Sequence, residues 1–176
     1  MNYDTLADVL EEEINPTLSL FYQAEPRPLE YALLFNKKLD ETWFIVFYFE
    51  NGPKLKEAID KGIAYRMHSF LLEKLDTRKE LTGVKSQIFF EFGTRPQTRE
   101  EYETLFQELS HKMKKLAQGG EANPGICRLC GHDFDEHKLL GEMDEKVGAP
   151  VQGWIICPEE DCHCFQTWSM NYKAES

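Results

Sequence analysis

Apolar and polar residues recur along the first part of the chain with periods that change from helix to strand and back. A helix is predicted over Thr5–Ile14. It is expected to end before Pro16, because a proline inside a helix removes a backbone hydrogen bond. Two strands follow, Leu29–Asn36 and Trp43–Glu50. The polar stretch Lys37–Thr42 between them predicts an antiparallel hairpin, and the nearly unbroken apolar second strand is typical of a central strand.

A second helical pattern, a third strand and a third helical pattern come after this hairpin. Asn51-Gly52-Pro53 is typical of a helix start, and apolar residues then recur at helical spacing over Lys54–Leu75. Val84–Phe92 is predicted as a strand. Thr98–Glu101 forms a capping box, which begins a helix that runs to about Gln118. The predicted fold class is α+β, a small antiparallel sheet with helices in the order α-β-β-α-β-α.

Glycine and proline are concentrated at 119–125, directly after the last helical pattern. All five cysteines of the chain lie beyond this segment. We therefore predict an α+β domain at 1–118, a linker at 119–125 and a metal-binding module at 126–176. Net charge divides at the same place. The chain has 16 basic and 20 acidic residues up to Gly120, and 4 basic and 11 acidic residues after it.

The cysteines form two motifs, Cys127-x2-Cys130-Gly131 and Cys157-x4-Cys162-x-Cys164. A C-x2-C turn lets two thiolates converge on one metal ion, and a glycine after it allows the positive φ that such a turn needs. In a chain expected to stay in the reducing cytoplasm, this pattern indicates zinc rather than disulfides. We expect one Zn²⁺ ion, which would also stabilise a segment with few large apolar residues.

Short strands are predicted on both sides of the second motif, at Gly153–Ile156 and Phe165–Ser169. Two cysteine turns, with the second at the tip of a hairpin, resemble the zinc-ribbon group of metal-binding domains over about Gly125–Trp168. The resemblance implies a zinc-ribbon-like module with a structural zinc site. The second turn departs from the usual pattern, because four residues separate Cys157 from Cys162 where two are commoner.

Spacing alone leaves three ligand sets open. All three contain Cys127 and Cys130. The first set adds Cys157 and Cys162, because the prolyl turn after Cys157 can wrap around an ion. The second set replaces Cys162 with Cys164. The third set adds Cys162 and Cys164 and leaves Cys157 as a core thiol.

The histidines near these motifs are weaker ligand candidates. His132 and His137 lie in an acidic stretch, where we interpret them as solvated side chains or as hydrogen-bonding supports of a ligand. His163 is expected to point away from its neighbours. A site filled by four cysteines is closed, so it has no position for a catalytic water. The zinc deaminase signature is also missing, because Ile126 rather than proline precedes Cys127 and the chain contains no His-x-Glu.

The first 118 residues contain no G-x-S-x-G, no glycine-rich phosphate loop and no H-E-x-x-H. Glu91 lies within the apolar third strand, and we expect it to face solvent or to pair with Arg95. His68 lies beside the apolar stripe of its helix, which is typical of a core or boundary histidine. An enzyme with its site between the two regions is kept as an alternative, because many acid-base sites have no linear signature.

Hydropathy and charge narrow the possible functions. The longest apolar run, Trp43–Phe49, has seven residues, whereas a membrane-spanning helix needs about 20. The acidic N-terminus does not resemble a signal peptide, so a cytoplasmic location without membrane contact is expected. A net charge of -11 counts against binding to nucleic acid phosphates. Any such binding would have to use basic residues of the first region, namely Lys37, Lys38, Arg78, Lys79, Lys85, Arg95 and Arg99.

The favoured hypothesis is a non-catalytic interaction or adaptor protein with a structural zinc site and a protein partner. The contact would be made by exposed residues around the cysteine turns, namely Arg128, Leu129, Glu159 and Glu160. Nucleic acid binding is one alternative. A redox-sensing zinc-thiolate switch is another, because the 31 residues between Cys130 and Cys162 make the spacing similar, in reversed order, to the zinc centre of redox-regulated holdase chaperones.

Overall fold

The computed structural model of the protein describes residues 3–36, 41–118, 121–123, 125–144 and 149–169. The Cα positions divide the chain into two compact units, 1–110 and 111–176. This division falls inside a helix, so the domain limits predicted around 119–125 stay a prediction. Gly119, Gly120 and Pro124 of that segment lie outside the described residues, and so do residues 37–40 of the predicted hairpin connection.

The chain up to residue 117 is a mixture of helices and strands. Its described α-helices and strands are, in order, α1 (Tyr3–Leu20), β1 (Glu30–Asn36), β2 (Thr42–Phe49), α2 (Gly52–Asp60), α3 (Ile63–Thr77), β3 (Lys85–Phe92) and α4 (Arg99–Ala117). This order differs from the predicted α-β-β-α-β-α, because two helices occupy the place of one.

The three strands form one sheet in the order β1-β2-β3. β1 and β2 are antiparallel, with Leu33 opposite Ile45, which confirms the predicted hairpin. β2 and β3 are parallel, with Ile45 beside Ile88, so the prediction of an antiparallel sheet was wrong. The helical connection between β2 and β3 explains the parallel pairing. α2 and α3 return the chain to the end of the sheet where β2 began, and such a crossover produces parallel strands.

The first helix extends beyond its predicted end. α1 contains Pro16 in its interior and continues to Leu20. The residue after the proline, Thr17, is fully buried, and its hydroxyl donates a hydrogen bond of 2.8 Å to the Glu13 carbonyl. A proline costs roughly 3 kcal/mol inside a helix, and the burial of Thr17 together with this hydrogen bond helps to offset that cost.

The single helix predicted over Lys54–Leu75 is two helices. Gly62 adopts a left-handed backbone, with φ of 79°, between α2 and α3. The N–H groups of Lys61 and Gly62 donate to the carbonyls of Glu57 and Ile59, so α2 ends there in a glycine-dependent cap. The apolar spacing continues across Gly62 because both helices bury residues of the same core.

The helix starts predicted at Asn51 and at Thr98 are confirmed. The Asn51 side chain accepts a hydrogen bond from the Lys54 N–H at 2.9 Å at the start of α2. At the start of α4, Thr98 accepts from the Glu101 N–H at 3.1 Å, and the Glu101 carboxylate accepts from the Gln97 N–H at 2.7 Å. β2 is buried at every position, as predicted for a central strand.

The C-terminal unit consists mostly of short strands. Beyond the end of α4, its described strands are β4 (Glu121–Asn123), β5 (Ile126–Cys127), β6 (Lys138–Asp144), β7 (Ala149–Ile156) and β8 (Phe165–Ser169). β6, β7 and β8 form an antiparallel sheet in that order. β7 and β8 confirm the two strands predicted around the second cysteine motif, whereas β6 was not predicted.

Candidate metal centre

The first cysteine motif is a tight turn at the end of β5. The Gly131 N–H donates to the Cys127 carbonyl at 2.9 Å, and the Cys127 N–H donates to the His132 carbonyl at 2.9 Å. Gly131 has φ of 78°, as predicted from its position after the second cysteine. The turn directs the N–H groups of Leu129 and Cys130 at the Cys127 sulfur. Such N–H groups stabilise a thiolate, which is the form that binds metal.

The second motif connects two paired strands. Ile156 at the end of β7 lies opposite Phe165 at the start of β8, so Cys157, Cys162 and Cys164 all lie in the intervening loop. All three cysteine side chains are buried. The Cys162 N–H donates to the Glu159 carbonyl at 3.1 Å, and the Glu159 N–H points at the Cys157 sulfur. The hairpin loop therefore repeats the N–H-to-sulfur arrangement of the first turn.

Two histidines join the cysteines, and both follow the first motif in sequence. A 3₁₀ turn at Phe134–Glu136 brings His137 back to the motif, with its Nε2 3.3 Å from the Cys130 sulfur. The His137 Nδ1 lies 2.8 Å from the Asp133 carbonyl oxygen, which can only accept, so Nδ1 carries the proton and Nε2 presents its lone pair. His132 places its Nδ1 3.5 Å from the Cys157 sulfur.

These seven side chains form two overlapping groups of four. The first group consists of Cys127, Cys130, His137 and Cys164, and the second of Cys130, His132, Cys157 and Cys162. Within each group the four ligand atoms lie within 4.8 Å of one another, close enough to hold a metal ion. In a tetrahedral zinc site with Zn–S bonds of about 2.3 Å, neighbouring ligand atoms are separated by about 3.8 Å. The Cys127 and Cys164 sulfurs are 3.9 Å apart.

Cysteines also form the packed centre of this unit. Cys127, Cys157, Cys162 and Cys164 are at most 7% exposed and constitute one buried cluster, against which Leu129 and Phe134 pack. Ordinary small domains place large aliphatic and aromatic side chains in such a position.

The buried side-chain amide of Gln166 forms hydrogen bonds with two cysteines of the first group. The Gln166 side chain, 7% exposed, donates to the Cys164 sulfur at 3.4 Å and to the Cys127 sulfur at 3.5 Å. Hydrogen bonds to ligand atoms from a neighbouring side chain orient the ligands and tune their affinity for metal.

Without a cation, burial keeps most of these thiols protonated. Burial raises the pKa of Cys164 to about 12, with a further contribution from the neighbouring sulfurs of Cys127 and Cys162. Burial also raises the pKa of Cys130 and of Cys157. Burial acts on Cys127 too, but the N–H groups of Cys130 and Leu129 offset it, so the pKa of Cys127 is lowered. A bound cation favours the thiolate form of each, which is why metal ions displace protons from such sites.

The structure brings all five predicted cysteines into these groups. Each of the three ligand sets considered from the sequence combines cysteines of the first group with cysteines of the second. The sequence favours His132 and His137 as solvated or supporting side chains rather than ligands. In the structure His132 is exposed and His137 partly buried, and both lie close enough to the cysteines to be ligands. The spacing Cys130-x-His132-x4-His137 was the available signal, since it continues the first motif in one short stretch. His163 belongs to neither group.

In the N-terminal unit, the two candidate acid-base residues lie in unremarkable surroundings. Burial lowers the pKa of His68 to about 4, so this histidine is neutral at physiological pH. Glu91 is partly buried in β3 and close enough to Tyr48 to raise the pKa of that phenol, to which burial contributes most. The Arg95 guanidinium donates to the Tyr31 carbonyl at 3.2 Å and to the Tyr102 hydroxyl at 3.4 Å.

Comparison with protein-family models, with curated proteins and with solved structures finds no match to this chain. Among the described residues, no helix has the length and apolar character needed to cross a lipid bilayer. The arrangement of cysteines and histidines is therefore the feature from which function is argued.

Proposed function

We propose that this is a non-catalytic interaction protein whose C-terminal unit is held together by structural zinc. The buried cluster of cysteines carries the proposal, because thiols occupy the place where a small domain of this size would otherwise need large apolar side chains. Each group offers four ligand atoms, which is the complete shell of a structural zinc ion and leaves no position for a reacting water.

The kind of donor favours zinc among the common metals. The two groups contain only sulfur and imidazole nitrogen, whereas calcium and magnesium prefer oxygen ligands. Tetrahedral sites made of sulfur and nitrogen are typical of zinc. The protonated Nδ1 of His137 and the amide of Gln166 also supply the supporting hydrogen bonds that such ligands usually have.

Elemental analysis of the full chain tests this proposal. The protein should be purified without a metal-affinity step and measured for zinc before and after treatment with a strong chelator. We expect at least one equivalent of zinc, with loss of the β6–β8 fold after chelation, and a reduced zinc content for Cys127→Ser. The matched control His163→Asn should keep the wild-type content. A chain that is folded and free of zinc would overturn the proposal.

The exposed surface beside the cluster is acidic. The 3₁₀ turn and its preceding residue expose Asp133, Asp135 and Glu136, and the loop of the second motif exposes Glu159–Asp161. Of the four residues first considered for the contact, Glu159 and Glu160 are exposed. Leu129 instead packs on the cysteines, and Arg128 donates to the Gln118 side chain at 3.0 Å. This distribution supports a protein partner with a basic surface.

A capture experiment with the full chain as bait tests this contact. We expect a partner that binds the zinc-loaded wild type and is lost both after chelation and with the double variant Glu159→Lys, Glu160→Lys. The exposed substitution Thr167→Ala on β8 serves as the control and should retain binding. A partner whose binding is unaffected by both changes would contact another surface, which would contradict this part of the proposal.

Two of the basic residues considered for nucleic acid binding, Arg78 and Arg99, are paired with carboxylates. Arg78, which was among the candidates, is bound by three carboxylates, those of Glu12, Glu13 and Glu80. The Arg99 Nε lies 3.3 Å from a carboxylate oxygen of Glu103. We expect no shift of single- or double-stranded oligonucleotides even at low salt, where phosphate contacts are strongest.

A redox switch is the second candidate function, favoured by the separation of 3.9 Å between the Cys127 and Cys164 sulfurs. In this scheme one equivalent of hydrogen peroxide accepts two electrons from the two thiolates and two protons from solvent, and is reduced to two water molecules. A disulfide forms, and the metal ion that the thiolates held is released. Zinc retention after peroxide treatment, measured with a chromogenic zinc chelator, would exclude the switch.

A further inference from the structure

The cluster contains more ligands than one ion can use. A tetrahedral zinc ion binds four side chains, but seven converge here, five cysteines and two histidines. If one group were occupied by the only ion, three side chains of the other would remain without metal. In the second group these would be His132, Cys157 and Cys162. Cys157 is fully buried. Without a metal ion its side chain would only fill space in the core.

The same three side chains are nonetheless arranged as ligands. The His132 Nδ1 faces the Cys157 sulfur at 3.5 Å, and the Glu159 N–H is directed at that sulfur. Their ligand atoms and the Cys130 sulfur all lie within 4.8 Å of one another. His132, Cys157 and Cys162 therefore come from two different turns and lie beside Cys130. Cys130 is also a member of the first group.

Cys130 is the common member of the two groups. Its sulfur lies 3.3 Å from the His137 Nε2 of the first group. It is also close enough to the sulfurs of Cys164 and Cys162, one from each group, to interact with them electrostatically. A thiolate sulfur has more than one lone pair, so it can bind two metal ions at once. The chain thus supplies each ion with three ligands of its own and one shared ligand.

Charge is consistent with such an arrangement. Two dications and two neutral imidazoles would leave the five thiolates with one negative charge in excess. A single dication in the first group, with its three thiolates and with the other thiols protonated, would leave the same excess, so charge allows both arrangements and the geometry decides between them. Buried charges of one sign are costly unless they are compensated.

We infer that the C-terminal unit binds two metal ions of the zinc type, bridged by the Cys130 thiolate. One ion is held by Cys127, His137 and Cys164, and the other by His132, Cys157 and Cys162. This inference rests on the proposed function as a zinc-stabilised module, and it extends that proposal from one ion to a dinuclear centre. The two sulfurs to which the Gln166 amide donates, those of Cys127 and Cys164, are both ligands of the first ion.

Native mass spectrometry of the full chain during zinc titration separates the possible results. We expect a saturated species with two zinc ions. A species that saturates at one ion would overturn the dinuclear centre and leave the proposed zinc module intact. A chain that binds no zinc would overturn both.

Variants of each group then test the assignment. Cys162→Ser and Cys164→Ser should each lower the zinc content from two to one, because each removes a ligand of a different ion. Replacing both cysteines should lower it below one. If instead a single ion used only the first group, Cys162→Ser would leave the content at one. His163→Asn is the matched control and should keep two ions.

Substitution of cadmium-113 into the wild type tests the bridge without any mutation. We expect two cadmium resonances in the range typical of sulfur-rich sites, with a splitting that arises from coupling of the two nuclei through the shared sulfur. Two uncoupled resonances would show two separate sites and would contradict the bridge. One resonance that accounts for a single ion per chain would contradict the second site.

Discussion

At the scale of single residues, the most informative side chain outside the ligand set is Gln166. It is buried in β8, and its amide donates to the sulfurs of Cys127 and Cys164. An amide donor stabilises the thiolate form of both ligands, so its removal should weaken metal binding without removing a ligand.

Gln166→Leu should therefore lower the zinc affinity of the full chain by about 10- to 100-fold. The affinity is measured by competition with a chromogenic chelator. Thr167→Ala, an exposed neighbour on the same strand, should retain the wild-type affinity. Unchanged affinity of the leucine variant would show that the amide is only a filler of the core.

His68 provides a prediction for the N-terminal unit. Burial lowers the pKa of His68 to about 4, below the value of about 6.5 for an unfolded chain. The unfolded state therefore binds more protons in this window, and the stability that neutral His68 confers is lost as pH falls from 6.5 toward 4.

We expect His68→Gln to reduce the loss of unfolding free energy between pH 7 and pH 4.5 by about 1–2 kcal/mol relative to wild type. Denaturant unfolding at the two pH values measures this difference. The exposed His111→Gln serves as the control and should show the wild-type pH dependence. A pH dependence of His68→Gln equal to that of wild type would contradict the role of this burial.

The site could be predicted in part from the sequence at this scale. The cysteines were recognisable because a C-x2-C spacing followed by glycine already determines a tight turn. The ring positions of His132 and His137 depend on the 3₁₀ turn at Phe134–Glu136 and on the hydrogen bond to Asp133. That local folding has no apolar periodicity, so neither histidine stood out.

At the scale of elements, the sheet β6–β7–β8 holds the second motif in place. Gly153 of β7 lies opposite Gly141 of β6, and a Cβ at Gly153 would overlap the Leu140 carbonyl oxygen. The strands can approach this closely only because position 153 has no side chain.

Gly153→Ala should separate β6 from β7 locally and cost more than about 2 kcal/mol of the stability of the C-terminal unit. Hydrogen exchange should show faster exchange of the amides in β6 and β7. Thr167→Ala, which changes an exposed side chain of β8, should leave exchange unchanged. Wild-type protection in Gly153→Ala would show that the sheet accommodates the methyl group.

Elements with a local signal were predicted well. The hairpin β1–β2 and the helix start at Asn51 have turn or capping residues whose geometry is set within a few positions. The continuation of α1 past Pro16, and the parallel pairing of β2 with β3, arise from burial and from the path of the connecting helices. Tertiary packing of this kind is not encoded in a short window.

At the scale of the whole molecule, the two units differ in what stabilises them. The N-terminal unit buries large aromatic residues, with Phe44 contacting Phe89 and Phe106. The C-terminal unit has a cluster of cysteines as its buried centre. Removal of metal should thus act on one unit alone.

Chelation of the full chain should expose the amides of β5–β8 to hydrogen exchange while β1–β3 and the start of α4 keep their protection. Small modules of this type gain their folding free energy from the metal. Exchange measured with and without chelator, at residue or peptide resolution, tests this. Equal loss of protection in both units would contradict the separation, and no loss in either would contradict a structural metal.

X-ray absorption at the zinc edge is the most direct test of the claim that these cysteines and histidines are a metal centre. The account predicts zinc surrounded on average by three sulfurs at about 2.3 Å and one nitrogen at about 2.0 Å. The imidazole nitrogen distinguishes this shell from the four-sulfur site that the cysteine spacing alone indicated. A shell of four sulfurs without imidazole, or one dominated by oxygen, would contradict the account.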